Sequence, residues 1–208
     1  MDWYRLYREI TPDEHMCIFA DPAEGHDFCA AVAFSKKHMD MPIVFNAKME
    51  SSQFGYELYR LAKYIESYAH IWPTICVERN TGQATIYVLT QLNYPDMFRM
   101  RVFDVSGFKE SEKLGWLMSE PTRKKMLDDY ALAMRQKIIK VYDKEVYDQM
   151  RAFIIDKKGK ARAESNKHDD LVIASAGAYQ THLLVPTHES DDFDREDWQK
   201  SQEKWRFR

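Results

Sequence analysis

The sequence predicts one α/β domain with a mixed central sheet flanked by helices. Short apolar runs bounded by turn residues alternate with longer segments of helical periodicity, which is typical of strands that alternate with helices. The first three apolar runs are joined by short connections, so we expect the sheet to begin as an antiparallel meander. The chain has 208 residues, of which 45% are hydrophobic, and can therefore bury one sizeable core.

The first half of the chain carries the predicted meander. After a polar lead-in, strands are predicted at residues 17–20, 28–35 and 41–48. A helix follows with Ser51 and Ser52 as candidate N-caps, and one face of it carries Phe54, Leu58, Leu61, Ile65 and Tyr68. Because this helix precedes the next strand, at 74–78, we expect that strand to lie parallel to the first.

The second half of the chain is predicted to alternate short strands with helices. The predicted elements are a helix after Asn80-Thr81-Gly82, a strand at 99–105, a helix with Pro121 in its first turn, a short strand at 137–141, a helix capped by Asp143, a hairpin at 154–163 and an alanine-rich helix from Asp169 to about Leu184. After Pro186 the sequence is polar. We therefore divide the chain into a domain at residues 1–186 and an acidic, aromatic tail at 187–208 that we expect to be mobile.

Acidic residues stand at the ends of three predicted core elements. Asp21 ends the first apolar strand, Glu78 ends the fourth, and Asp169 and Asp170 open the last helix. Carboxylates are costly at such places unless a cation or hydrogen bonds compensate them. Oxygen-only ligands favour Mg²⁺ or Mn²⁺ over zinc. The pattern predicts one shared metal site, of the kind that serves phosphodiester hydrolysis.

Each acid also has a simpler interpretation. Asp21 can cap a turn before Pro22, and Asp169 can be the N-cap of its helix. Glu78 is harder to explain in that way, because glutamate is disfavoured in strands. Capping and metal binding are compatible, so the sequence leaves open whether Asp169 or Asp170 is the principal ligand.

Composition excludes several other classes of protein. Cys17, Cys29 and Cys76 lie in apolar runs without paired spacing, which argues against a disulfide framework or a zinc site. The N-terminus lacks a signal-peptide pattern, and no apolar run is long enough to span a bilayer. A net charge of -3 offers no strongly basic footprint for nucleic acid. The chain also has no GxxxxGK[ST] motif, so we expect no P-loop ATPase within it.

Basic residues cluster just before the last acidic pair. Lys157, Lys158, Lys160 and Arg162 form a predicted loop that is either a solvated charge run or a contact to DNA phosphates. The segments Lys36-Lys37-His38 and Arg123-Lys124-Lys125 are weaker candidates of the same kind. Two further residues, His168 and Asn80, are candidates to support the metal ligands, although a solvent-facing histidine is the simpler reading of His168.

The order of these motifs resembles a known family. Asp21 in Phe-Ala-Asp-Pro-Ala, Glu78 in Val-Glu-Arg-Asn-Thr-Gly and the pair in His-Asp-Asp-Leu-Val-Ile-Ala resemble the nuclease domain of the large terminase subunit of tailed bacteriophages, which has the ribonuclease H-like fold. The segments Gly115-Trp116 and Thr122-Arg123-Lys124 resemble the same family. The resemblance covers roughly residues 15–184.

The resemblance implies a metal-dependent DNA endonuclease that cuts concatemeric DNA during phage genome packaging, with one or two Mg²⁺ or Mn²⁺ ions. The implied partners are double-stranded DNA, a packaging ATPase domain, the portal and the small terminase subunit, and the implied location is the cytoplasm of the infected host. Two alternatives stay open: a Holliday-junction resolvase-like nuclease, and a non-catalytic module that docks to the portal or motor through Trp198, Trp205 and Phe207.

Overall fold

A mixed β-sheet lies at the centre of the protein. The structure is a computed structural model that describes residues 3–23, 28–103, 110–155, 161–163 and 168–186. Its strands are β1 (Tyr4–Leu6), β2 (Met16–Asp21), β3 (Phe28–Ser35), β4 (Asp40–Lys48), β5 (Thr74–Val77), β6 (Arg99–Phe103), β7 (Glu110–Leu114), β8 (Lys140–Val141), β9 (Phe153–Ile155) and β10 (Ala161–Ala163). Its helices are α1 (Ser51–Ala69), α2 (Gln83–Gln91), α3 (Glu120–Arg135), α4 (Lys144–Arg151) and α5 (Asp170–Leu184).

The central sheet has the strand order β1-β4-β3-β2-β5, and β8 also pairs with β4. Strands β2, β3 and β4 form the predicted antiparallel meander, and β5 lies parallel to β2. Both features of the predicted sheet are confirmed. Because β2 and β5 are parallel neighbours, their carboxyl ends meet at the same edge of the sheet.

Alternation along β2 divides the interior into two cores. Ile18 and Ala20 pack on the side that α1 and α2 cover, whereas Phe19 packs on the side of α3 and α5. Most of the predicted apolar face of α1 is buried, whereas Tyr68, near the C-terminal end of that face, is 51% exposed. The predicted serine caps were also wrong: the cap position is Glu50, and the Ser51 hydroxyl shares a hydrogen bond with that of Thr85.

Helix α5 is buried along most of its length, which explains its small residues. Every residue from Leu171 to Thr181 is buried. At Gly177 a Cβ atom would lie 2.3 Å from the ring of Phe19, so only glycine allows α5 to approach β2 this closely. The alanine-rich pattern therefore records close packing of a helix on a sheet.

The N-terminal segment is more ordered than the predicted polar lead-in. Strand β1 pairs with the edge of β4, and the Tyr4 hydroxyl donates a hydrogen bond to the Glu57 carbonyl. The Arg8 guanidinium bridges the carboxylates of Glu14 and Asp40 at 2.5 and 2.6 Å. Glu57 and Asp40 are distant in sequence from Tyr4 and Arg8, and Glu14 lies six residues after Arg8 outside any strand, so the local pattern of a three-residue strand did not indicate these contacts.

Two small ribbons complete the described structure. Strands β6 and β7 pair with each other rather than joining the central sheet, and β7 was not predicted. Strands β9 and β10 form the predicted hairpin, although its tip lies outside the described residues, as does the tail at 187–208. The three cysteines are buried and free. No helix in the described ranges is long and apolar enough to cross a membrane.

Candidate metal site

Asp21 and Glu78 are neighbours across two parallel strands. Asp21 is the last residue of β2, and Glu78 immediately follows β5. The register pairs Ala20 with Val77, and the Glu78 N–H donates a hydrogen bond of 2.8 Å to the Ala20 carbonyl. The ends of the two strands therefore bring the acids together, although they are 57 positions apart in the chain. This is the edge of an α/β sheet at which ligands commonly bind.

Both acids project to the side of the sheet that α5 covers. Phe19 and Cys76 are buried on that side, and side chains two residues further along a strand point in the same direction. The first residue of α5 is Asp170, seven residues before Gly177, and seven residues make about two helical turns. The Gly177 contact with Phe19 thus aligns the start of α5 with the end of β2.

An open pocket of about 240 Å³ lies where these elements meet. Its acidic wall consists of Asp21, Glu78 and Asp170. The rest of its lining is less polar and consists of Pro22, Ala23, Phe28 and Thr81. Three of the four acids that the sequence singled out therefore share one pocket.

Burial and the neighbouring acids change the pKa of Asp21. The pKa of Asp21 is raised well above its ordinary value, first because the carboxyl is removed from solvent and then because of the charge of Glu78 and a hydrogen bond between the two carboxyls. Asp170 and Asp169 raise this pKa further. A raised pKa means that the ionised form of Asp21 is destabilised in this pocket. A bound cation would offset that destabilisation.

Asp169 and Asp170 lie in different surroundings. Asp169 is the N-cap residue of α5, but its side chain makes no capping hydrogen bond. Its carboxylate instead accepts a hydrogen bond of 2.9 Å from the Arg123 guanidinium on α3. Asp170 lines the pocket. The structure thus gives different surroundings to two adjacent aspartates, and which of them is the principal ligand stays a prediction.

A buried glutamine supplies the helix cap that Asp169 does not provide. The Oε1 atom of Gln149, on α4, accepts a hydrogen bond of 2.9 Å from the Leu171 N–H in the first turn of α5. Such N–H groups have no partner within their own helix. Gln149 and Leu171 are both buried, so water does not replace this bond. Nothing near Gln149 in the sequence indicates that it caps a helix that starts 21 residues later.

The two supporting candidates have different positions. The Nδ1 atom of His168 lies 3.5 Å from an oxygen of Asp170, and its side chain is 57% exposed. Asn80 binds the backbone of Met118 twice, donating to its carbonyl at 2.7 Å and accepting from its N–H at 3.1 Å. Asn80 therefore fastens the segment before α3 beside the end of β5, and His168 lies next to an acid of the pocket.

Tight loop packing also shapes the pocket. The Thr81 hydroxyl donates to the Pro22 carbonyl at 2.8 Å and so joins the loops that follow β5 and β2. A Cβ atom on Gly82 would lie 2.2 Å from the Glu78 carbonyl oxygen. The sequence Glu78-Arg-Asn-Thr-Gly is thus a turn in which only glycine lets α2 begin this close to the acid.

The basic candidates are mostly occupied or outside the described residues. Lys157, Lys158 and Lys160 lie outside them, and Arg162 is described only as a position in β10. The weaker candidates bind protein atoms. In the first segment, Lys36 donates to the carbonyls of Val185 and Pro186, and Lys37 donates to that of Pro12. His38 shares a hydrogen bond with Thr11. In the second segment, the three basic residues form ion pairs, which are Arg123–Asp169, Lys124–Asp128 and Lys125–Asp129.

The donor set of the pocket suits a hard divalent cation. All three acidic groups offer oxygen, which Mg²⁺ and Mn²⁺ prefer. Within the part of the chain that the structure describes, however, no three His, Cys, Asp or Glu side chains are grouped so as to hold a metal ion. The acids line one pocket without converging on one point, and their role as ligands stays a prediction.

The fold is similar to that of solved viral nuclease domains. The crystal structure of the large terminase nuclease from thermophilic phage G20c is 20% identical, covers 85% of this chain and 87% of that chain, and has a TM-score of 0.66. The large terminase nuclease domain of Thermus phage P74-26 is 19% identical over 85% and 84% of the two chains, with a TM-score of 0.63. The human cytomegalovirus terminase nuclease domain is 17% identical over 84% and 85%, with a TM-score of 0.52.

Some of these similar structures contain metal. The G20c nuclease was solved with bound magnesium, cobalt and zinc, and the cytomegalovirus domain was soaked with manganese. No family model and no curated protein sequence matches this chain. At these identities the comparison bears on the fold, and it confirms the predicted ribonuclease H-like α/β architecture with a mixed central sheet.

Proposed function

We propose that this chain is a metal-dependent DNA endonuclease of a phage genome-packaging motor. One observation carries the proposal: Asp21, Glu78 and Asp170 line a single pocket at the edge of the sheet where β2 and β5 end. The similarity in fold to large terminase nucleases, one of which was solved with magnesium, supports the same conclusion.

The residues have distinct proposed tasks. Asp21 and Glu78, on adjacent strand ends, and Asp170, at the start of α5, hold one or two Mg²⁺ or Mn²⁺ ions. Such ions lower the pKa of bound water and neutralise charge that develops on a phosphodiester. Asp169 serves mainly to attach α5 to α3 through Arg123. The carboxylates need no covalent nucleophile beside them, since water is the attacking group in metal-assisted hydrolysis.

The proposed partners follow from packaging. Double-stranded DNA is the substrate, and a packaging ATPase domain, the portal and the small terminase subunit are the protein partners. The site of action is the cytoplasm of the infected bacterium. Within this proposal Lys157, Lys158, Lys160 and Arg162 contact DNA phosphates, and residues 187–208 dock to the portal through their aromatic side chains.

Plasmid cleavage tests the proposal. The protein is incubated with supercoiled DNA in EDTA, Mg²⁺ or Mn²⁺, beside an Asp21→Ala variant. We expect nicking only with metal and a loss of more than about 100-fold in the variant, because even residues that support metal ligands cost about 10- to 100-fold when changed. Asp128→Asn is the matched control, since this acid is 63% exposed and pairs with Lys124 on the surface of α3. Equal cleavage by Asp21→Ala and Asp128→Asn would refute the proposed site.

The ligand assignment has its own comparison. Asp170→Asn should abolish metal-dependent cleavage, whereas Asp169→Asn should weaken it less and lower the melting temperature, because it removes the partner of Arg123. The opposite order would make Asp169 the principal ligand.

A docking module is the second candidate. The observation that favours it is the charged and aromatic sequence of residues 187–208, which contains Trp198, Trp205 and Phe207. It predicts binding to the portal or motor ATPase without metal-dependent cleavage. The plasmid assay therefore separates the two candidates directly.

A further inference from the structure

Lys48 lies beside the acidic pocket on an aromatic ring. It is the last residue of β4 and pairs in register with Phe28, the first residue of β3. Its ammonium lies 4.9 Å from the centre of the Phe28 ring, and Phe28 lines the pocket with Asp21 and Asp170. The ring of His168 meets Phe28 edge-on at 5.4 Å. The Lys48 ammonium thus lies on a ring that forms part of the pocket wall.

Among the residues that the structure describes, no acidic side chain pairs with Lys48, in contrast to the basic residues of α3. Lys124 and Lys125 form ion pairs with aspartates on α3, and Arg123 pairs with Asp169. Across the described ranges, the only contact recorded for the Lys48 ammonium is with the face of Phe28. A cation–π contact orients an ammonium without neutralising it, and its N–H donors stay free for an oxygen acceptor.

A positive charge beside this pocket would reduce the repulsion between the acidic site and a polyanionic substrate. Three carboxylates line the pocket, and the chain has a net charge of -3, so a polyanionic substrate is repelled unless local positive charge compensates. Basic side chains that contact phosphates supply sequence-independent affinity and set the position of the strand. Lys48 lies beside this pocket on Phe28, and no acidic side chain within the described ranges forms an ion pair with it.

We propose that Lys48, oriented by Phe28, binds a backbone phosphate next to the phosphodiester that is cut. The inference rests on the proposed nuclease function and deepens it by naming where the substrate strand crosses the rim of the site. Lys48 touches the substrate but neither holds metal nor transfers a proton. Its loss should raise the KM for DNA and leave metal binding unchanged.

The test compares Lys48→Ala and Lys48→Arg with Lys63→Ala. Lys63 is the matched control, because it makes the same kind of contact: its ammonium lies 5.5 Å from the centre of the Tyr59 ring. Lys63 is exposed on α1. It lies twelve residues, or about 18 Å, along the helix from Ser51, the first residue of α1, which follows Lys48 closely in the chain. Three quantities are measured: the KM and kcat of Mn²⁺-dependent cleavage, the affinity for a labelled duplex in EDTA by fluorescence anisotropy, and the rise in melting temperature with Mn²⁺ alone.

Loss of one phosphate contact reduces the salt slope of DNA affinity by about 0.9. Between about 50 and 200 mM salt, wild type should therefore lose about 3.5-fold more affinity than Lys48→Ala. Lys48→Arg should restore the slope, Lys63→Ala should match wild type, and Mn²⁺ should raise the melting temperature of all variants equally. An unchanged KM and salt slope in Lys48→Ala would overturn the inference, as would an equal loss in Lys63→Ala.

The binding arm separates this inference from the nuclease proposal. If wild type binds DNA but does not cut it, the nuclease proposal fails, and a reduced salt slope confined to Lys48→Ala still supports the phosphate contact. If wild type binds no DNA, the contact is overturned as well. If Lys48→Ala instead loses its response to Mn²⁺, Lys48 acts on the metal site and the proposed phosphate contact is wrong.

Discussion

Replacing Gln149 with leucine tests how the acidic helix start is held. The Gln149 side chain accepts a hydrogen bond of 2.9 Å from the Leu171 N–H, and leucine of similar volume removes the acceptor while filling the space. Gln149 is only 8% exposed and Leu171 is fully buried, so the N–H would be left without a partner or water. An unsatisfied buried donor costs about 1–3 kcal/mol, and loss of a helix cap costs about 0.5–2 kcal/mol.

We therefore expect Gln149→Leu to lower the free energy of unfolding by about 2 kcal/mol. For a domain of this size, about 2–4 °C is lost per kcal/mol, so the melting temperature should fall by about 4–8 °C. Because Asp170 lies immediately before Leu171, its carboxylate should also lose its fixed position. Titration of the folded variant with Mn²⁺, well below its melting temperature, should then show weaker metal binding than titration of wild type.

The same helix provides a matched control in Gln180. Gln180 is also buried, but its Oε1 atom has no hydrogen-bond partner within the described ranges. Gln180→Leu should therefore be neutral or stabilising, since it removes an unsatisfied acceptor. Denaturant and thermal melts on both variants make the comparison. Equal destabilisation by the two changes, or an unaltered melting temperature in Gln149→Leu, would refute the capping argument.

Three further predictions concern the pocket and the helix behind it. In EDTA, the melting temperature of wild type should fall relative to that of Asp21→Asn as the pH rises from about 4 to 8. A carboxyl whose pKa is raised on folding stabilises the protein fully below its unfolded pKa of about 3.9, and this stabilisation is lost as the pH rises through the raised value. A difference in melting temperature that is constant with pH would contradict this prediction. Millimolar Mn²⁺ should raise the melting temperature of wild type but not of Asp21→Asn, by preferential binding to the folded state. Gly177→Ala should destabilise the protein by about 1–3 kcal/mol in denaturant melts, because the new Cβ overlaps the buried Phe19 ring, and a gain in stability would show that α5 can move away.

Local sequence patterns were sufficient for the main elements and for most of the acidic pocket. Strand β3 has the predicted bounds, and α5 begins one residue after its predicted start. Asp21 and Glu78 were recognisable because each ends an apolar strand, and a parallel pairing of those strands necessarily brings their ends together. Alternation and helical periodicity are properties of neighbouring residues, so a single sequence contains them.

Only the tertiary structure showed that Asp169 and Asp170 have different surroundings. The sequence left open which of the two is the principal ligand, and their surroundings differ because Arg123 from α3 pairs with Asp169. The cap from Gln149 and the placement of Lys48 on Phe28 have the same origin. These contacts join elements that the chain folds together from distant positions, and their energies depend on distance and burial. No periodicity along the sequence indicates either quantity, so the position of Lys48 on Phe28 beside the pocket could be seen only in the packed structure.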